Sequence, residues 1–167
     1  MSPVSIVEAL RSIGEDLELR GIRTYRINCE DDFFSVEGGY QTPPAATPVS
    51  LYYSSKDIAE LDRKAIERHD YCSATRAFIY LPEILASVGA YVRDKGASLV
   101  SLSNMNSTTA LAIVDVEYQT ALGDVMYDRL TSSTIYELCV REHKRRSRLQ
   151  NLKDHRFTRF SSLHSGL

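Results

Sequence analysis

Glu8–Gly21, EALRSIGEDLELRG, recurs in this chain as Glu83–Gly96, EILASVGAYVRDKG. Glu8, Leu10, Ser12, Gly14 and Gly21 coincide with Glu83, Leu85, Ser87, Gly89 and Gly96, and Ile13 with Val88, at a constant separation of 75 residues. The correspondence extends outward. Tyr40-Gln41-Thr42 returns as Tyr118-Gln119-Thr120, 78 residues on, and Ile58-Ala59-Glu60-Leu61 returns as Ile135-Tyr136-Glu137-Leu138, 77 on. Three matches in the same order with nearly equal offsets point to an internal duplication, one series of elements used twice.

The repeated stretch reads as a helix. Ser5-Ile6-Val7-Glu8 has the form of a capping box, in which hydroxyl and carboxylate satisfy backbone donors reciprocally. Ile6, Leu10, Ile13 and Leu17 follow at helical spacing as one apolar stripe, and Gly21 supplies a left-handed stop. The second stripe is Leu81, Leu85, Val88 and Val92, with Pro82 near the first turn and Gly96 at the end. Gly14 and Gly89 fall inside these helices, where each costs about 1 kcal/mol relative to Ala. Together with Ser12 and Ser87 they make a small-residue strip suited to close approach of another backbone, such as a contact between the two helices. These four residues are helix-contact candidates.

A strand follows each helix, over Ile22–Asn28 and Ala97–Ser103. Polar turns lead to Phe33–Gln41 and Ala110–Thr120, whose apolar residues alternate with the period of a half-buried strand. The copies diverge next. The first has the stiff loop Thr42-Pro43-Pro44-Ala45-Ala46-Thr47-Pro48, whereas the second turns tightly through Ala121-Leu122-Gly123-Asp124. Third strands are expected near Val49–Tyr53 and Val125–Arg129. Helices then start at Ser54 or Ser55 and at Thr131 or Ser132, residues with capping side chains.

The expected fold is therefore α+β: two tandem α-β-β-β-α units, antiparallel strands with helices on one face, and an approximate two-fold relation between halves. The first unit spans 1–69, a linker 70–79, the second unit 80–148 and a basic C-terminal tail 149–167. The element order resembles that of the double-stranded RNA-binding domain. That family carries a lysine-rich cluster at the start of its second helix, where this chain has Ser54-Ser55-Lys56-Asp57 and Thr131-Ser132-Ser133-Thr134.

Composition narrows the function classes. Hydrophobic residues make up 43% of the chain and charged residues 25%, ordinary proportions for a globular protein. No apolar run approaches the ~20 residues that span a bilayer, and the N-terminus lacks the basic start and apolar centre of a signal peptide. A cytoplasmic location is the expectation. Cys29, Cys72 and Cys139 are odd in number and show no metal-ligand spacing, which suits reduced thiols. The net charge of −2 conceals a split. Eight basic residues (Arg141, Lys144, Arg145, Arg146, Arg148, Lys153, Arg156 and Arg159) and two acids lie beyond Val140, giving +6 there and −8 in the body.

Chemistry-bearing groups are sparse. His69-Asp70-Tyr71-Cys72 brings a base, a carboxylate and a thiol together, but a linker is a poor platform for nucleophilic catalysis. Glu30-Asp31-Asp32 lacks the alternating ligands and glycine of a calcium loop and reads as a solvated turn. No phosphate cradle, zinc spacing, nucleophile elbow or dinucleotide fingerprint is present. Catalytic, metal and cofactor residues are accordingly expected to be none. The residues singled out for partner or nucleic-acid contact are the eight basic ones. The functional expectation is a non-enzymatic protein-binding or assembly module, docking through its basic C-terminal segment on a partner or on a second subunit. The alternative is nucleic-acid binding through phosphate contacts of the same segment.

Overall fold

The computed structural model describes residues 4–40, 48–72, 81–104 and 113–164, excepting the side chains of Tyr40, 65–72 and 153–164. Ten elements follow one another: α1 (Ile6–Arg20), β1 (Ile22–Cys29), β2 (Phe33–Tyr40), β3 (Pro48–Ser54), α2 (Ser55–Cys72), α3 (Leu81–Asp94), β4 (Ser98–Asn104), β5 (Val114–Gln119), β6 (Val125–Leu130) and α4 (Ser132–His164). The fold is α+β. Its six strands form one continuous antiparallel sheet in the order β3-β2-β1-β4-β5-β6, a point on which the strand pattern alone is silent.

Local chemistry accounts for the helix ends. Ser5 Oγ accepts from the Glu8 amide at 3.3 Å. Only half of the expected capping box forms, because Glu8 binds the Arg11 guanidinium at 2.6 Å, a charge-assisted bond stronger than one to a backbone amide. The reciprocal box appears instead at α2, where Ser54 and Asp57 exchange bonds of 2.7 to 3.2 Å. Gly21 and Gly96 close α1 and α3 with φ of 73° and 64°, in the left-handed region that favours glycine. α2 runs to Cys72, so a helical backbone enters the stretch read as a linker, and α4 continues as one helix through the stretch read as a separate tail.

The two middle strands pair antiparallel, with Ile27 opposite Leu102, both fully buried. The inward row includes Ile22, Tyr25, Leu99, Val114, Val116 and Tyr118, and it shares one hydrophobic cluster with residues from all four helices. Fully burying side chains such as Leu10, Ile13, Leu85 or Val88 stabilises by about 1.5–3 kcal/mol each. The outward residues are mostly polar, with Phe33, Tyr52, Val125 and Tyr127 exposed among them, and the helices pack on the other face.

α1 and α3 are buried well beyond their stripes. Besides Leu10, Ile13 and Leu17, α1 buries Val7, Ala9, Arg11, Ser12, Gly14 and Glu15. The cause is their mutual contact. A Cβ placed on Gly14 would lie 2.7 Å from the Pro82 Cα and 3.2 Å from the Leu81 carbonyl oxygen. One placed on Gly89 would lie 3.2 Å from the Val7 Cα and 3.3 Å from the Ile6 carbonyl oxygen. Each helix thus presses its glycine against the first turn of the other. Ser12 and Ser87 are buried beside them, and Ser87 Oγ donates to the Glu83 carbonyl at 2.6 Å.

Tyrosine–aspartate bonds tie helix to strand on both sides. Tyr53 of β3 donates to Asp16 of α1 at 2.6 Å, and Tyr91 of α3 donates to Asp128 of β6 at 2.7 Å. Tyr118 also donates to Asp128, at 2.9 Å, and Lys95 sits over both the Tyr91 and Tyr118 rings. Burial and the Asp128 carboxylate push the Tyr91 hydroxyl up to about 12. The Tyr91 and Tyr118 bonds, helped by Lys95, outweigh burial and hold Asp128 below the usual carboxylate range.

Two outcomes follow from this packing. Gly14→Ala must displace backbone, so overpacking of about 1–3 kcal/mol exceeds the ~1 kcal/mol gained in helix propensity. Gly89→Ala meets looser contacts and loses less, an ordering that urea denaturation of the two variants measures. For Tyr91, the folded state keeps a proton that an unfolded tyrosine loses near pH 10. Its contribution is complete below pH 10 and disappears as pH rises towards 12. Tyr91→Phe therefore shows a shallower alkaline fall in stability than the parent, read from denaturation midpoints between pH 8 and 11.

Candidate functional site

Among the described residues, the outward side of α4 and the outward face of the sheet are two extended exposed surfaces. The root of α4 is seated by Ile135, Leu138 and Cys139, all buried in the core cluster. One turn on, Glu142 is buried at 3% exposure, and Arg145 grips it in a two-pronged bond of 2.7 and 3.0 Å. Arg93 of α3 approaches the same carboxylate at 3.8 Å. Arg146 reaches Glu83 of α3 at 3.5 Å, and Glu83 also faces Arg11 of α1 at 3.7 Å. Charged groups from three helices therefore meet at one seam.

Carboxylates and guanidinium groups oppose one another across the seam, while Nε and Nη2 of the buried Arg11 find no hydrogen-bond partner among the described residues. Burial pushes Glu8 up, but the bond and charge of Arg11, with Arg146 and Arg145 beyond it, bring it below its ordinary value. Arg145 is held above its own by Glu142. Cys139 lies here too, 3.2 Å from Ser87 Oγ. Burial pushes its thiol up, Ser87 opposes this and Glu83 reinforces it, so it is a protonated, inert group at neutral pH. Cys29 is raised likewise by burial, Glu30 and Asp31.

The basic residues divide by position. Arg145 and Arg146 are engaged with Glu142 and Glu83. Arg141, Lys144 and Arg148 are exposed and recur at i, i+3 and i+7, which places them in one row along the helix. Leu152, 59% exposed, continues that row, and Leu149 is exposed at 46%. Every described side chain from His143 to Leu152 is exposed, with Arg145 and Arg146 the ones still reaching carboxylates of the body. Lys153, Arg156 and Arg159 lie on α4, but their side chains fall outside the described residues. The same holds for His69-Asp70-Tyr71-Cys72 on α2.

The open sheet face was not singled out by sequence reasoning. Register places Tyr52, Ser35, Asn28, Ser101, Glu117 and Tyr127 in one row across all six strands. The next row is Ser50, Glu37, Arg26, Ser103, Asp115 and Arg129. Glu117 accepts from Ser101 at 3.1 Å and from Tyr127 at 3.0 Å, and Arg129 binds Asp115 with two nitrogens at 2.7 and 3.2 Å. A shallow depression of about 280 Å³ lies over Arg26, Ser103, Asp115, Glu117 and Tyr127. Tyr52 and Tyr127, exposed by 70% and 72%, bound the face at its two edge strands. The signal for this surface in the sequence is the polar half of each strand's alternation.

Among the described residues no group of His, Cys, Asp and Glu side chains gathers to hold a metal ion, and no helix is long and apolar enough to cross a membrane. No family model, curated protein or solved structure matches this chain. The seam yields one expected outcome. Glu142→Gln removes the charge gripped by Arg145 and Arg93 and loosens the root of α4 by about 1–3 kcal/mol. Hydrogen–deuterium exchange should then speed up over 139–149 and stay unchanged in the paired centre of β1 and β4.

Proposed function

We propose that this chain is a non-enzymatic protein-binding module, formed by internal duplication, whose docking element is α4. The observation that carries the reading is the exposed row Arg141–Lys144–Arg148, on a helix whose root is seated in the core and ion-paired through the buried Glu142. An exposed cationic row on a formed helix suits an acidic protein surface, since the backbone that spaces the charges is ordered before contact and only the side chains lose rotamer freedom on binding.

The duplication is supported by contacts that repeat at a separation of 75 residues. Gly14 against Leu81 and Pro82 answers Gly89 against Ile6 and Val7. Tyr53 bonded to Asp16 answers Asp128 bonded to Tyr91, the donor and acceptor having changed places. Ile27 and Leu102, also 75 apart, face each other in the central strand pair. An approximate two-fold axis through that pair would relate all of these contacts.

Phosphate contact is the second reading, favoured by one feature: the three cations lie along about 10.5 Å of helix on a single side. The two readings separate on a sensor surface carrying the full chain. A poly-glutamate peptide should bind at 50 mM salt, weaken at 300 mM, and lose at least tenfold on R141E/K144E/R148E. Duplex DNA and single-stranded RNA should bind more weakly than the peptide. If either nucleic acid binds more tightly, with a log–log salt slope reduced by about 2–3 in the variant, the phosphate reading replaces ours. If the variant binds the peptide as well as the parent does, α4 is not the docking element.

A further inference from the structure

Both exposed surfaces belong to the same chain, and they are complementary. The open face carries Glu37, Asp115 and Glu117 against Arg26 and Arg129, of which Arg129 is already paired with Asp115. At one end of the sheet its rim adds Glu30, Asp31 and Asp32 in the β1–β2 turn and Asp124 in the β5–β6 turn, all exposed. α4 offers Arg141, Lys144 and Arg148 with Leu152 in line. The platform has aromatic residues where such a row needs partners: Tyr127 at one edge, and Tyr52 against Phe33 at the other, their rings 6.2 Å apart. Guanidinium groups stack on such rings, and leucine packs against them.

The dimensions agree. Beyond Glu142, α4 has 22 residues to His164, about 33 Å of helix at 1.5 Å per residue. Six strands span five gaps of ~4.8 Å, about 24 Å. The helix is long enough to cross the whole platform. It cannot cross its own. Its root packs on α3, on the side of the sheet opposite the open face, and Glu142 and Glu83 hold its direction there.

We propose that the acceptor for α4 is the open sheet face of a second copy of this chain, in a reciprocal two-fold exchange in which each copy lays its helix over the other's sheet. This rests on α4 being the docking element, as proposed above, and names its partner. Reciprocity uses each contact twice and closes the assembly at two copies, whereas a one-way contact would propagate into a filament.

Sedimentation velocity of the full chain tests the assignment. The parent is expected to be a dimer at 50 mM salt and a monomer at 500 mM. R141E/K144E/R148E, which reverses the row, and E30K/D31K/E37K/D124K, which reverses the platform, should each be monomeric at 50 mM salt with unchanged helical content. An equimolar mixture of the two variants leaves one contact native and gives the other opposite charges, and should yield a heterodimer. A parent that is monomeric at 50 mM salt overturns the second-copy assignment, as does a dimer that survives E30K/D31K/E37K/D124K or a mixture that stays monomeric. If that monomeric parent still captures the poly-glutamate peptide through the row, the docking reading survives without its proposed partner. If it does not, both fall.

Discussion

The structure depends on the direct approach of two helix backbones, α1 and α3, at Gly14 and Gly89. Side chains normally hold packed helices 8–10 Å apart. Here each glycine opens a notch into which the other helix's first turn fits, with backbone atoms where a Cβ would otherwise stand. The strands that follow these helices, β1 and β4, pair in the middle of the sheet directly beneath. The helix contact and the central strand pair therefore close a single core over both halves of the chain. Neither half buries its share of that core without the other.

Close approach has an electrostatic consequence. Bringing α1 and α3 together, and laying α4 against α3, takes Arg11 and Glu142 almost completely out of water. Each finds an opposite charge: Arg11 in Glu8 and Glu83, Glu142 in Arg145 and Arg93. Such pairs add little net stability, because desolvation consumes most of the attraction, but breaking one leaves a charge uncompensated. Their effect here is directional. They fix the angle at which α4 departs, and a helix with a fixed departure angle presents its outer row in one place.

The two faces of the sheet differ in chemistry. The helix-covered face of the sheet is apolar and closed, while the opposite face is a polar ladder of serines, carboxylates and arginines bounded by tyrosines. An antiparallel sheet tolerates this asymmetry because alternation sends successive side chains to opposite sides. The charge split read from composition thus acquires positions. Part of the basic excess is ion-paired within the chain, through Arg145 and Arg146, while Arg141, Lys144 and Arg148 are exposed.

The elements themselves were legible in the sequence. The stripe Leu10, Ile13, Leu17, the stop at Gly21, the alternation through Val114, Val116 and Tyr118, and the capping serines are local signals with local causes. Boundaries shifted by a few residues where a neighbouring helix or ladder extended an element. The capping role of Glu8 was lost to Arg11, a competitor that matters only once burial strengthens its bond. The open sheet face went unread, since a polar residue between apolar ones looks the same whether it faces bulk water or a partner.

By itself, then, the sequence determined an α+β chain of amphipathic helices and half-buried strands, with a small-residue strip on two helices and a basic C-terminal stretch. Each of these is set by side-chain periodicity and by backbone preferences within a few residues. Only the tertiary structure decided that the strands join in one sheet with β1 against β4, which backbone the glycines admit, and which carboxylates Arg11, Arg145 and Arg146 engage. Those outcomes depend on contacts between residues tens of positions apart, whose energies are set by burial and by mutual geometry that no local pattern contains.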